Sequence, residues 1–130
     1  MANPNIVSVS SIYGESLGWN LTTGLTTTLF TVAAEKLVKI NRIVCANVDG
    51  AAAADLDLLI TTSVQTSSGG TVASGATTVY LAKTISVPAD ASLVVSDTPI
   101  YLREGDILKG GASAASDLDL FISYEVLDDA

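Results

Sequence analysis

Two pairs of aspartates, Asp55 with Asp57 and Asp117 with Asp119, carry the strongest chemical signal in the chain. In an extended strand, alternate residues share a face and stand roughly 6.5–7 Å apart. If the two strands lay side by side, four carboxylates would converge. A hard cation such as Ca²⁺ would then be the natural counter-charge. The competing reading is a solvated outer face, or acids that blunt a sheet edge against aggregation. That reading is favoured, because calcium sites usually draw backbone carbonyls from loops as well.

Other chemistry is thinner. The chain has no histidine, so a nucleophilic triad lacks its usual base. Zinc would need a His or Cys cluster, and Cys45 is the only cysteine. Cys45 sits among Ile43, Val44 and Ala46, the setting of a buried structural thiol, and cannot form an internal disulfide. Gly69-Gly70 and Gly110-Gly111 lack the helix and lysine of a phosphate loop. Glycoside hydrolysis would need a carboxylate pair in an apolar cleft, and Trp19 is the sole tryptophan for stacking a sugar. Lys36, Lys39 and Arg42 read as a solvated strand face, with a docking contact to an acidic partner as the alternative. The expectation is a protein without catalytic residues or cofactor.

The elements that must position these residues are strands. The chain has 130 residues, of which 48% are hydrophobic, which supports one domain with one core. Its net charge of −8 argues against binding nucleic acid, whose phosphates it would repel. No apolar run approaches the ~20 residues of a membrane helix, and Met1 to Asn5 do not open a secretory signal. Thr, Ser and Ala are abundant and long charged helix formers scarce, so an amphipathic helix has no polar face to draw on.

Asn5 to Tyr13 reads as a first strand, with Val7, Val9 and Tyr13 on one face, Ile6 and Ile12 on the other, and Gly14 as its end. A segment apolar on both faces lies in the core or packs on a neighbouring chain. Leu17–Leu21 is a weaker extended piece, and Thr26–Val32 a β-branched strand. In Lys36–Val48 the apolar parity switches after Ile40, which places a β-bulge at Asn41–Ile43. Asp55–Thr62 alternates, with Leu56, Leu58 and Ile60 inward. Gln65–Gly75 reads as an exposed loop. Thr77–Val87 is a strand with Val79, Leu81, Ile85 and Val87 on one parity, followed by a short strand at Leu93–Val95. Glu104-Gly105-Asp106 is a turn, and the strand from Ile107 breaks at Gly110-Gly111. Leu118, Leu120, Ile122, Tyr124 and Val126 point inward from a last strand. About eight short strands with turns every 8–12 residues predict an all-β antiparallel sandwich, jelly-roll or Greek-key-like.

One hexapeptide has an echo. Asp55-Leu56-Asp57-Leu58-Leu59-Ile60 returns as Asp117-Leu118-Asp119-Leu120-Phe121-Ile122, each copy after an alanine-rich stretch. Two strands in similar places of two sheets would need the same pattern; pseudo-symmetric Greek-key halves are the sharper alternative.

The chain opens on Met1-Ala2-Asn3-Pro4-Asn5-Ile6-Val7 and Ser11-Ile12-Tyr13-Gly14. It continues with Lys39-Ile40-Asn41 running to Ala46-Asn47-Val48-Asp49-Gly50, with Ile85 to Val95, and with Ile100 to Asp106 followed by Ala112-Ser113-Ala114 and Ser123-Tyr124-Glu125. In these stretches, taken in order, the sequence resembles small structural proteins of tailed bacteriophages, especially marine ones. The Ser67–Gly75 stretch is longer and richer in Gly and Ser than the family leads one to expect. The resemblance implies a virion component made in the host cytoplasm. It would be a capsid decoration or cement protein that binds the major capsid protein shell from outside, often as a homotrimer. Residues 1–14 would form a strand or arm and 15–130 one sandwich domain. Ile6, Val7, Val9, Ile12 and Tyr13 are the candidate self- or capsid-contact residues, since such an arm can add as a strand to a neighbouring chain. The alternative function is a fibre- or tail-associated module recognising host glycan, with calcium at the aspartate strands.

Overall fold

A computed structural model describes residues 7–66 and 73–128. Two antiparallel sheets face each other. The first has the order β1 (Ser11–Asn20), β11 (Leu118–Asp128), β3 (Lys36–Asn47), then β8 (Ser92–Ser96) and β9 (Ile100–Leu102) in succession along the same edge of β3. The second has the order β2 (Thr28–Thr31), β10 (Ile107–Ala112), β4 (Ala54–Thr61), β7 (Thr78–Val87). A short hairpin pairs β5 (Gln65–Thr66) with β6 (Ala73–Ser74). With β8 and β9 counted as one position, this is the double Greek key of an eight-position jelly roll.

That topology explains the echo. Exchanging β1 with β7, β2 with β8/β9, β3 with β10 and β4 with β11 converts one sheet order into the other. The repeated hexapeptides lie on β4 and β11, which are equivalent under this exchange. Each is an interior strand with both edges paired. Leu56, Leu58 and Ile60 of one copy and Leu118, Leu120 and Ile122 of the other fill the core between the sheets. Val38, Ile40, Ile43, Cys45, Leu102 and Leu108 are among the others there, so the core is mainly aliphatic, with Tyr124 as its aromatic member.

The bulge in β3 lies where the parity switch puts it. Ser123 pairs with Arg42 and Tyr124 with Ile40, so Asn41 is the extra residue. It brings both Ile40 and Ile43 inside. Three expected boundaries differ. The first strand begins at Ser11 rather than Asn5 and runs through Gly14 to Asn20, absorbing the separate piece expected around Trp19. Gly14 does not end it, because edge pairing with β11 supplies the hydrogen bonds that a turn would have taken. Ile6 lies outside the described residues. β10 likewise passes through Gly110 and Gly111, paired with Leu58 and Asp57 on β4. In β7 the expected single parity fails: register shifts against Leu56/Leu58 and Leu58/Leu59 mark two bulges, so Val87 is buried as expected but Ala82 is buried in place of Val79, Leu81 and Ile85. The Gln65–Gly75 stretch contains the β5–β6 pairing; residues 67–72 lie outside the description.

Two titratable side chains are held neutral by this core. Burial, reinforced by the charge of Asp119, pushes the Cys45 thiol from 9.0 to about 11. Burial, then the hydrogen bond and charge of Glu15, pushes the Tyr124 hydroxyl from 10.0 to about 12. Both hold their protons more tightly folded than unfolded. Their contribution to stability is complete below the unfolded values and lost as the pH climbs through the folded ones. The melting temperature is therefore expected to fall between about pH 9 and 12. A Cys45→Val/Tyr124→Phe double variant should show a shallower fall; the same slope in both proteins would refute the assignment.

Candidate functional site

The two aspartate pairs do not meet. Asp55 and Asp57 are on β4 of the second sheet, and Asp117 and Asp119 precede and open β11 of the first. The pairs therefore lie on different sheets of the sandwich. Among the described residues, no group of three or more His, Cys, Asp or Glu side chains is placed to hold a metal ion.

Asp57 and Asp119 each have a local task. Asp57 is buried, and its Oδ1 accepts a hydrogen bond from the Thr84 N–H at 2.8 Å. Thr84 has a left-handed backbone (φ 53°), so Asp57 stabilises the β7 bulge at a residue type that resists this conformation. Asp119 accepts from the Asn20 side-chain amide at 2.6 Å, tying β1 to β11. The basic stretch is also engaged. Lys36 stands opposite Asp128 and forms an ion pair at 2.5 Å, and Lys39 stands opposite Glu125 at 3.8 Å. Arg42 is exposed.

Four buried polar side chains escape a reading based on alternation: Asn47, Asp57, Glu104 and Asp106. Asn47 donates to the carbonyls of Ala52 and Val87 and accepts from the Asp49 N–H. Asp106 accepts from the Ser63 N–H and hydroxyl and from the Arg103 N–H. Glu104 accepts from the Glu35 N–H at 2.8 Å. These groups fasten loops to strand ends. The turn signals at Asp49-Gly50 and Glu104-Gly105-Asp106 mark their positions but not their burial.

The surface feature that remains is the edge of the first sheet. β1 pairs with β11 over ten residues without a register shift, and its other edge has no partner among the described residues. An open strand edge is a template for another chain unless something blunts it. The other edges are blunted. β7 has two bulges, Lys83 and the left-handed Thr84. β2 has four residues. The β8/β9 edge is interrupted at Asp97–Pro99. β1 has no proline, lysine, arginine or bulge.

No protein-family model matches the chain, and no curated protein matches it. Among solved structures, it is similar to the crystal structure of the infectious bursal disease virus VP2 subviral particle. The TM-score is 0.44 and the identity 18%, over 92% of this chain and 33% of that one. Likeness at this level assigns no function.

The expected contact residues divide around this edge. Ile12 is 57% exposed on the outer face of β1, opposite Leu127, and Tyr13 is exposed on its inner face. Val7, 90% exposed, and the half-buried Val9 precede the strand. Sequence reading missed Phe121, 53% exposed on β11, whose ring lies against the bare backbone of Gly18. The signal was in the hexapeptide echo, where Phe121 takes the place of Leu59, which is buried. Inside the same edge, the ring of Trp19 stacks on Phe30, and Phe30 on Tyr124, with centroids 6.3 and 6.1 Å apart. Tyr124 donates its hydroxyl hydrogen to Glu15 at 2.9 Å. Beside them, a cavity of about 230 Å³ opens between the sheets, lined mostly by apolar groups including Leu17, Phe30, Val38 and Val126.

Proposed function

We propose that this chain is a structural protein of a bacteriophage virion, a decoration or cement protein that binds the outer surface of the major capsid protein shell and braces the head. It works through contacts and not through catalysis. The observation that carries the reading is a jelly roll whose aspartate pairs lie on different sheets and whose β1 edge has no partner among the described residues. Jelly rolls serve as capsid and lectin domains, architectures that present surfaces on a rigid frame. Many copies on a symmetric lattice turn modest contacts into firm attachment. The net charge of −8 keeps a high-copy chain soluble in the host cytoplasm before assembly.

Electron microscopy and heating of purified particles test this reading. Particles lacking the chain should lose their heads at a lower temperature, and density for the chain should lie on the head. Unchanged particles, or a chain absent from them, would overturn it; density at a tail or fibre would favour glycan recognition. A sharper arm removes residues 1–9. Ser10 still donates its N–H to Asp128 and β1 still begins at Ser11, so the strand content and melting temperature should hold. Binding to the head should drop, because Val7 and Val9 are gone. A truncated chain that binds as before would remove these residues from the contact.

A further inference from the structure

The segment Tyr13-Gly14-Glu15-Ser16-Leu17-Gly18-Trp19 is nearly a palindrome in character. It runs aromatic, glycine, long chain, serine, long chain, glycine, aromatic. All of it lies on β1, the edge without proline, lysine or bulge, whose one charge, Glu15, is hydrogen-bonded to Tyr124. We infer that β1 is the interface for a second copy of this chain, in which two β1 strands pair antiparallel about a two-fold axis through Ser16 and join the two outer sheets into one.

The hydrogen-bond phase agrees. Leu21 N–H donates to the Leu118 carbonyl, in register with the β1–β11 ladder. Antiparallel alternation then points the odd-numbered residues of β1 at β11. Ile12, Gly14, Ser16, Gly18 and Asn20 turn their N–H and C=O groups to the open edge. A two-fold at Ser16 sets Ser16 against Ser16, Gly14 against Gly18 and Ile12 against Asn20, so edge-facing groups meet only edge-facing groups. About ten hydrogen bonds result, two for each such pair.

The side chains agree as well. A closed two-fold interface must be complementary to itself, residue i meeting j while j meets i. On the inner face this register sets Tyr13 beside Trp19, a favourable cross-strand aromatic pair made twice. It lengthens the existing stack of Trp19, Phe30 and Tyr124. Glu15 falls opposite Leu17 rather than another Glu15, and its carboxylate already accepts a hydrogen bond from Tyr124 of its own copy. On the outer face, Gly14 has nothing within 4 Å of the position a Cβ would take. Phe121 covers Gly18, and the facing glycine leaves room for the ring, as an aromatic shields an edge glycine. Registers centred on Glu15 oppose two carboxylates, and those centred on Gly14 lose the aromatic pairs. The inference takes the open edge that the virion reading also cites, assigns it to self-association, and replaces the three-fold association that the family resemblance implies with a two-fold one.

The axis makes the test specific, because only a residue on the axis meets its own copy. The wild-type chain should weigh as a dimer in light scattering over a dilution series. Ser16→Lys and Ser16→Glu, each on an exposed outer-face position, should raise the dissociation constant at least about tenfold through like charges at the axis. An equimolar mixture of the two should return to dimer, which also shows that both variants are folded. Ser16→Cys should give a covalent dimer on oxidation, whereas Val94→Cys, on the β8 edge, should not. A monomeric or trimeric wild type, substitutions without effect, or a mixture that does not recover would each overturn the proposal.

Discussion

Asp106→Ala is expected to cost the fold about 3–5 kcal/mol, a large share of the roughly 5–15 kcal/mol that holds a domain of this size. Asp106 is buried at the turn where the chain leaves β9 for β10, crossing from one sheet to the other. Its Oδ1 accepts from the Ser63 N–H at 2.9 Å and the Ser63 hydroxyl at 3.2 Å. Its Oδ2 accepts from the Arg103 N–H at 2.9 Å, and its backbone joins the same corner through Val32 N–H to Asp106 C=O. Alanine leaves the Ser63 and Arg103 N–H groups facing a methyl group, while the Ser63 hydroxyl keeps the Glu104 carbonyl at 2.8 Å. Each stranded donor costs about 1–3 kcal/mol. Asp106→Asn should lie between, since it keeps an acceptor for Ser63 but presents an amide to the Arg103 N–H. Urea titration should show the midpoint fall with the slope unchanged. A loss under about 1 kcal/mol for alanine would mean that water replaces the carboxylate at little cost.

Gly111→Val should be nearly as damaging, for a steric reason. A Cβ at Gly111 would stand 2.5 Å from the carbonyl oxygen of Gly24 and 2.8 Å from Leu25 Cα. Both are backbone atoms, so no side chain can swing aside. The segment from Leu21 to Thr27 would have to move off β10, straining Gly110 N–H to Thr27 C=O and Ala112 N–H to Thr22 C=O. Overpacking against backbone costs about 1–3 kcal/mol or more, so the melting temperature should drop by roughly ten degrees. Gly14→Ala is the contrast. Within one copy open space surrounds that position, so in a Ser16→Lys background that keeps the copies apart the swap should be neutral or stabilise by about 0.5 kcal/mol through lower chain entropy. Equal effects at the two glycines would refute the packing argument.

The opposite fates of these glycines show where reading a sequence stops. Gly14 and Gly110-Gly111 look alike as punctuation, yet all three lie within paired strands. A strand interior accepts glycine where another backbone passes close by, as at Gly111, or at an edge, as at Gly14. Which case applies depends on residues far along the chain. β7 makes the same point. Its apolar residues alternate well enough in the sequence, but two bulges against β4 reset their faces. The bulge in β3 was legible because the apolar residues change parity between Ile40 and Ile43, and only an extra residue lets both face the core, as they do.

The all-β class, the inward leucines and isoleucines of β4 and β11, the bulge of β3 and the main turns are already written in the order of residues along the chain. A period of two reports which face of a strand is buried, and local burial is enough to impose it. Tertiary structure alone decided that the two aspartate pairs stand on opposite sheets. It also buried Asp57 and Asp106 with hydrogen-bond partners and left β1 as the unguarded edge. Alternation says nothing about which strand lies alongside, and the neighbouring strand decides whether an acid meets a cation, a backbone N–H or water.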